Sequence, residues 1–197
     1  VSNDEFYKTF NSLIFTVHTD LFIPAGGRPE TIDARNMEQF FKDKIPAARV
    51  IVEGANSFIT PDARLELQKR GVVIMRDASA NKCGVISSSY EIIANLMMNE
   101  DEFLAHKNEY VQDVLVILNQ MAEKEARLIL KRHRETGEAF TAISDKISRE
   151  INAHYARMFA YFQSNPKLVE QPDYTHAILQ HLPHMIASNS VWHERLS

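Results

Sequence analysis

Three stretches of small and short polar residues carry most of the chemistry this sequence can offer: "AGGRPET" (25–31), "EGANSFIT" (53–60) and "DASANKCGVISSS" (77–89). Residues of this kind let a ligand approach the backbone closely. The alternative is that Gly26, Gly27 and Gly54 only permit turns. The glycines, at 26, 27, 54, 71, 84 and 137, never form the G-x-G-x-x-G cradle, so the usual pyrophosphate grip is missing. Ser87, Ser88 and Ser89 lack the G-x-S-x-G elbow and have no histidine or acid placed for nucleophilic work, so their hydroxyls read as donors to a ligand or to helix-cap backbone. Cys83 falls at or near a predicted helix N-terminus, where the helix dipole can lower a thiol pKa; a buried, inert thiol is the other reading. His176, His181 and His184 are spaced by five and three, off the i, i+4 pattern of a helical zinc site and without a thiol or carboxylate partner, so no metal is expected.

The elements that must position these loops alternate. "DLFIPA" (Asp20 to Ala25), "VIVEGA" (Val50 to Ala55) and "VVIM" (Val72 to Met75) read as short strands. Between the first two, Ile32, Met37, Phe40 and Phe41 recur at helical spacing, with Thr31 or Asp33 as N-cap. Between the second and third, Thr60 is the expected N-cap, Pro61 the first helical residue, Leu65 an inward side chain and Gly71 the left-handed stop. The result is a βαβαβ unit, and in such a sheet ligands gather at the carboxyl ends of the strands, where the three polar loops lie. After Asn99 the strand signals stop. Helices interrupted at Gly137 and at "SNPKLVEQPD" follow, with apolar stripes (Phe103, Tyr110, Val111, Val114, Leu118, Met121, Ile129; then Ile143, Ile147, Ile151, Tyr155, Met158, Phe162) that read as core or subunit contact. The expected fold class is thus α/β, half of a Rossmann-like parallel sheet in residues 1–99, followed by an α-helical region in 100–197.

The 197 residues are 45% hydrophobic and 24% charged with a net charge of −4, enough for a core and without the basic stripe that nucleic acid or an anionic membrane surface requires. A single cysteine allows no internal disulfide, and no apolar run approaches the roughly 18 residues of a membrane span. No signal peptide is visible, and the first residue is Val1. A reducing, soluble compartment is expected, the cytoplasm or, in a eukaryote, the mitochondrion.

Taken with their order and spacing, "DLFIPAGGRPETI", "VEGANSFITPDARLEL", "RDASANKCGVISSSYEIIANL" and "HRETGEAFTAISDKISREIN" resemble the C-terminal part of large-subunit, NAD-specific glutamate dehydrogenases. The resemblance runs from "KTFNSLIF" to near the end of the chain, and its "EGAN" and "DASANK-x-GV-x-SSS" elements are specific to it. It implies the later half of a dinucleotide-binding domain with the C-terminal helices, a cofactor NAD, glutamate and 2-oxoglutarate as substrates, and a homo-oligomer. It assigns Asn56 and Asn81 to the nicotinamide riboside part of NAD and Gly26 to a cofactor-facing position. Ser88 is assigned to the side-chain carboxylate of glutamate and Val85 to its aliphatic chain. The substrate lysines and the catalytic acid of the family belong to a preceding domain, so no catalytic residue is expected among these 197. The family's "ANKGGV" has Cys83 in place of its first glycine here, a change expected to restrict the backbone or narrow the site. Two other readings stand beside this one: a non-catalytic nucleotide-sensing or oligomerisation module, and a leucine- or phenylalanine-type dehydrogenase, which would favour an apolar residue at position 88.

Overall fold

Short apolar runs, β-branched in two of the three cases, pair into a sheet. In the computed structural model, which describes residues 2–193 and 195, the strands β1 (Thr19–Phe22), β4 (Ala48–Val52) and β5 (Val73–Met75) form one parallel sheet in the order β1-β4-β5. Their register aligns Leu21, Val50 and Val73 in one row and Phe22, Ile51 and Ile74 in the next. The second row is the inner one: Ile51 and Ile74 are buried with Leu67, Phe40 and Ile32, and each such side chain contributes about 1.5–3 kcal/mol through the water it no longer meets. The first row is open, with Leu21 46% and Val73 42% exposed.

The chain divides into two compact units, residues 1–82 with 125–145 and residues 83–124 with 146–197. The first holds the sheet. It begins with α1 (Asn3–Ser12), capped by the Ser2 hydroxyl, which accepts from the Glu5 N–H at 3.2 Å. The first crossover departs from expectation. Instead of an α-helix, Met37–Phe40 makes a single 3-10 turn, followed by the two-residue antiparallel ladder of β2 (Phe41–Lys42) and β3 (Ile45–Pro46). The Asp33 carboxylate does accept from the Arg35 and Asn36 N–H groups at 2.8 and 3.1 Å, the contacts of an N-cap, but the turn it opens is not carried on into an α-helix. Asp43 and Lys44, both with positive φ (51° and 67°), then turn the hairpin as a left-handed pair.

The second crossover does carry the expected helix, α2 (Pro61–Lys69), with Thr60 as N-cap and Gly71 at φ 90° ending it. Its inward face is different: Ala63, Arg64 and Leu67 are buried, while Leu65 is 57% exposed. Beyond β5 the polar stretch is not a loop. It is helical almost throughout, as α3 (Asp77–Ala80) and, after the break at Asn81, α4 (Lys82–Met97).

The helical remainder consists of α5 (Glu100–Thr136), α6 (Phe140–Ser164), α7 (Pro172–Leu179), α8 (His184–Ala187) and α9 (Ser190–His193). Asn99 and Glu102 cap α5 reciprocally: the Glu102 N–H donates to Asn99 Oδ1 and the Asn99 N–H to Glu102 Oε2, both at 2.9 Å. The core of the second unit is Tyr90, Ala94, Met97, Met98, Tyr110, Met185, Ile186 and Trp192. The Tyr110 hydroxyl donates to the Tyr90 carbonyl at 2.5 Å, and the Tyr90 hydroxyl to the His181 carbonyl at 3.2 Å. Of the predicted stripes, Tyr110, Ile129, Ile143 and Ile147 are buried, whereas Ile151, Tyr155, Met158 and Phe162 on the later part of α6 are exposed.

Candidate functional site

Parallel strands end on the same edge, and there the first three loops of this chain are stitched together by hydrogen bonds. The Ala55 N–H donates to the Pro24 carbonyl at 2.7 Å, joining the loops after β1 and β4. Gly54 sits so close to the first loop that a Cβ on it would lie 3.3 Å from the Pro24 oxygen. The Ser57 N–H donates to Asp77 Oδ2 at 2.8 Å, and the Glu30 N–H to the Ser57 carbonyl at 2.7 Å. Ser57 takes a left-handed φ of 54° to make both contacts.

Asn56 and Asn81 are brought together by this stitching: Asn81 Nδ2 donates to Asn56 Oδ1 at 2.7 Å. Asn56 is exposed and Asn81 half-buried. Their mutual bond uses one acceptor and one donor and leaves the Asn56 amide N–H2 and the Asn81 amide oxygen to meet a ligand, a donor and an acceptor side by side. That pair suits a carboxamide or a sugar hydroxyl, so the donor set fits the nicotinamide riboside end of a dinucleotide. Gly26 lies exposed in the first loop, with nothing within 4 Å of where a Cβ would stand.

Sequence reasoning missed the groups beneath this loop. Glu53 is fully buried (0% exposed) and Arg64 is 7% exposed. Arg64 Nε donates to Glu53 Oε2 at 2.8 Å, Arg64 Nη2 donates to Glu53 Oε1 at 3.1 Å and to the Ile59 carbonyl at 2.9 Å, and the Ile59 N–H donates to Glu53 Oε1 at 3.2 Å. The available signal was the carboxylate closing the apolar run "VIVE", which had to find a cation. Asp77 is a third such group. Burial pushes its carboxyl upward, but the Ser57 and Ala78 N–H donors, with Arg64 and Arg76, outweigh burial and hold it below the usual carboxylate range.

In the second unit, Val85 and Ser88 lie one turn apart on α4, and both are exposed. The Ser88 hydroxyl has only a long 3.5 Å contact to the Gly84 carbonyl, whereas Ser87 makes a 2.9 Å bond to the same oxygen. Ser88 is therefore the hydroxyl more easily turned toward a ligand. A largely apolar cavity of about 700 Å3 between α4 and α5 is lined by Ser87, Tyr90, Met98, Phe103, Tyr110 and Leu118 among others, and includes neither Val85 nor Ser88.

Cys83 is an ordinary helical residue on the first turn of α4, half-buried, with Sγ 3.6 Å from the Leu118 carbonyl. It is not among the residues with positive φ, so the expectation that a Cβ there restricts the backbone does not hold: a helical φ accepts any L-residue. Among the described residues no three His, Cys, Asp or Glu side chains gather to hold a metal, and His176 instead contacts the Gln180 amide at 3.0 Å. Among them too, no helix is long and apolar enough to cross a membrane.

Comparison with known proteins adds a family to this geometry. A model of the Glutamate/Leucine/Phenylalanine/Valine dehydrogenase family matches residues 2–150. The NAD-specific glutamate dehydrogenase of Neurospora crassa is 39% identical over 147 residues, 68% of this chain and 14% of that protein. The probable NAD-specific glutamate dehydrogenase of Schizosaccharomyces pombe is 42% identical over 144 residues, 67% of this chain and 13% of that one. The NAD-specific glutamate dehydrogenase of Saccharomyces cerevisiae is 36% identical over 164 residues, 75% of this chain and 15% of its own length. The chain thus spans about one seventh of the length of these relatives. With its three-stranded parallel sheet and the helices that follow, a partial Rossmann-like α/β fold, this chain belongs to the glutamate/leucine/phenylalanine/valine dehydrogenase family.

Proposed function

We propose that this chain is part of an NAD-dependent glutamate dehydrogenase, an oxidoreductase that deaminates L-glutamate oxidatively to 2-oxoglutarate and ammonia. The observation that carries the reading is the Asn56–Asn81 pair, 2.7 Å apart at the carboxyl edge of a parallel sheet, in a family whose similar members bear NAD-specific glutamate dehydrogenase in their names. In this reading residues 1–99 are the later half of the NAD-binding domain and 100–197 its helical C-terminal region.

NAD, when bound, would supply the hydride acceptor for the substrate Cα, and the protein's share would be to orient the two partners. Asn56 Nδ2 and Asn81 Oδ1 hold the nicotinamide riboside end, and Gly26 leaves room for the cofactor at the first loop. Ser88 donates its hydroxyl to the distal carboxylate of glutamate, and Val85 packs against the aliphatic chain. A serine at position 88 argues for a carboxylate-bearing substrate over the leucine, phenylalanine or valine of the family's other members, since an apolar substrate side chain would cover this exposed hydroxyl without giving it a partner. The exposed stripe of Ile151, Tyr155, Met158 and Phe162 fits a subunit contact of a homo-oligomer.

Ser88→Ala in the full-length polypeptide tests the reading. A hydroxyl on a carboxylate is worth about 1.5–3 kcal/mol, so the substitution raises the glutamate KM at least about tenfold with little change in the NAD KM. An unchanged glutamate KM refutes the assignment.

A further inference from the structure

We infer that Glu53, Arg64 and Asp77 are positioning residues for the cofactor site, holding the Gly54–Ile59 segment in the conformation that delivers Asn56 to Asn81 and to the dinucleotide. The inference rests on the reading of Asn56 as a cofactor contact. It starts from an anomaly: a carboxylate at 0% exposure, at the end of a sheet strand, is an expensive group to bury. For stability alone an apolar pair of similar volume would serve as well or better.

What an apolar pair cannot supply is the set of bonds this one sends into the loop. Glu53 accepts the Ile59 N–H at 3.2 Å and Arg64 donates to the Ile59 carbonyl at 2.9 Å, so both backbone groups of Ile59 are held by the same ion pair. On the other side, Asp77 takes the Ser57 N–H at 2.8 Å. Asn56 lies between the Ala55–Pro24 bond and the Ser57–Asp77 bond and is itself exposed. No packing fixes it, so its place is set by the anchors around it and by the left-handed turn at Ser57 that they enforce. Asp77 also sits on the short helix that leads directly to Asn81. One carboxylate therefore ties the backbone beside the first asparagine to the element that presents the second.

The test uses the full-length polypeptide with Glu53→Gln, Asp77→Asn and Asn56→Ala, singly and with Asn56→Ala combined with each of the other two. It reads the NAD and glutamate KM values and amide hydrogen exchange in residues 54–59. Glu53→Gln and Asp77→Asn each raise the NAD KM about five- to tenfold and leave the glutamate KM within about twofold, as the loss of one or two loop-holding hydrogen bonds implies. In the Asn56→Ala background Glu53→Gln adds no further increase, because it acts through that side chain, and Asp77→Asn adds only the share it exerts through Asn81. Exchange across 54–59 quickens while β4 amides stay protected. Increases that add in full to that of Asn56→Ala, or unchanged exchange in 54–59, overturn the inference. Should Asn56→Ala leave the NAD KM unchanged, the cofactor reading of Asn56 fails and the inference falls with it; quickened exchange would then mark the three residues as loop anchors only. If Glu53→Gln fails to fold, Asp77→Asn, at the margin of the loop, supplies the same readings.

Discussion

Replacing Arg64 with leucine would leave the Glu53 carboxylate fully buried with the Ile59 N–H as its remaining partner. Removing one member of a buried pair costs about 3–5 kcal/mol, and the Ile59 carbonyl, deprived of its Arg64 donor, adds about 1 kcal/mol. With a urea slope of about 2 kcal/mol/M, a total of about 4–6 kcal/mol lowers the unfolding midpoint by about 2–3 M. Adding Glu53→Gln to Arg64→Leu removes the orphaned charge while keeping an acceptor for Ile59, and should recover about half of the loss. Urea titration of residues 1–197 followed by far-UV circular dichroism measures both. A midpoint shift below about 0.5 M for Arg64→Leu, or no recovery in the double variant, refutes the view that this pair is a buried, mutually dependent charge couple.

Two further outcomes are expected. The Arg195 guanidinium, then the Asn99 N–H, hold the Glu102 carboxyl down to about 2, against an ordinary value of 4.5. Because the folded-state value is depressed, the contribution of this contact is complete above pH 4.5 and is lost as pH falls through about 2; Arg195→Met should return Glu102 toward its ordinary value in a carboxyl-resolved NMR titration. On the proposed reading, which places the substrate lysines and the catalytic acid in a preceding domain, residues 1–197 alone should form no glutamate-dependent NADH; measurable turnover by the purified polypeptide would contradict that division of labour.

The sheet was legible because the short runs around "LF", "VIV" and "VI" are apolar and, in the second and third, β-branched, and because their alternation with longer crossovers points to parallel pairing. The first crossover was not. The spacing of Ile32, Met37 and Phe40 does describe a buried face, and all three are buried, but a periodicity of buried positions does not say that the backbone between them is helical, and here it leads into the hairpin turned at Asp43 and Lys44. Leu65 misled for the converse reason. An inward arginine on α2 is improbable until its partner is known, and the partner, Glu53, lies eleven residues away, just past the end of β4. The asparagines 56 and 81 were found through resemblance alone, because nothing in 25 residues of separation announces a hydrogen bond. Cys83 allows a reactive and an inert reading in the sequence and stands where the family has glycine, yet in a helix its backbone is not strained.

The open row of the sheet governs how this polypeptide must be handled. β1 and β5 are both margins of a three-stranded sheet, and Leu21 and Val73 on them face outward without cover. Unpaired strand margins beside bare aliphatic side chains invite copies to join edge to edge, and Asp20 is the one charge that these two strands carry, on β1. A charged side chain opposes such a join because it must shed its water, so β5, which carries none, is the margin to guard in any work on this polypeptide.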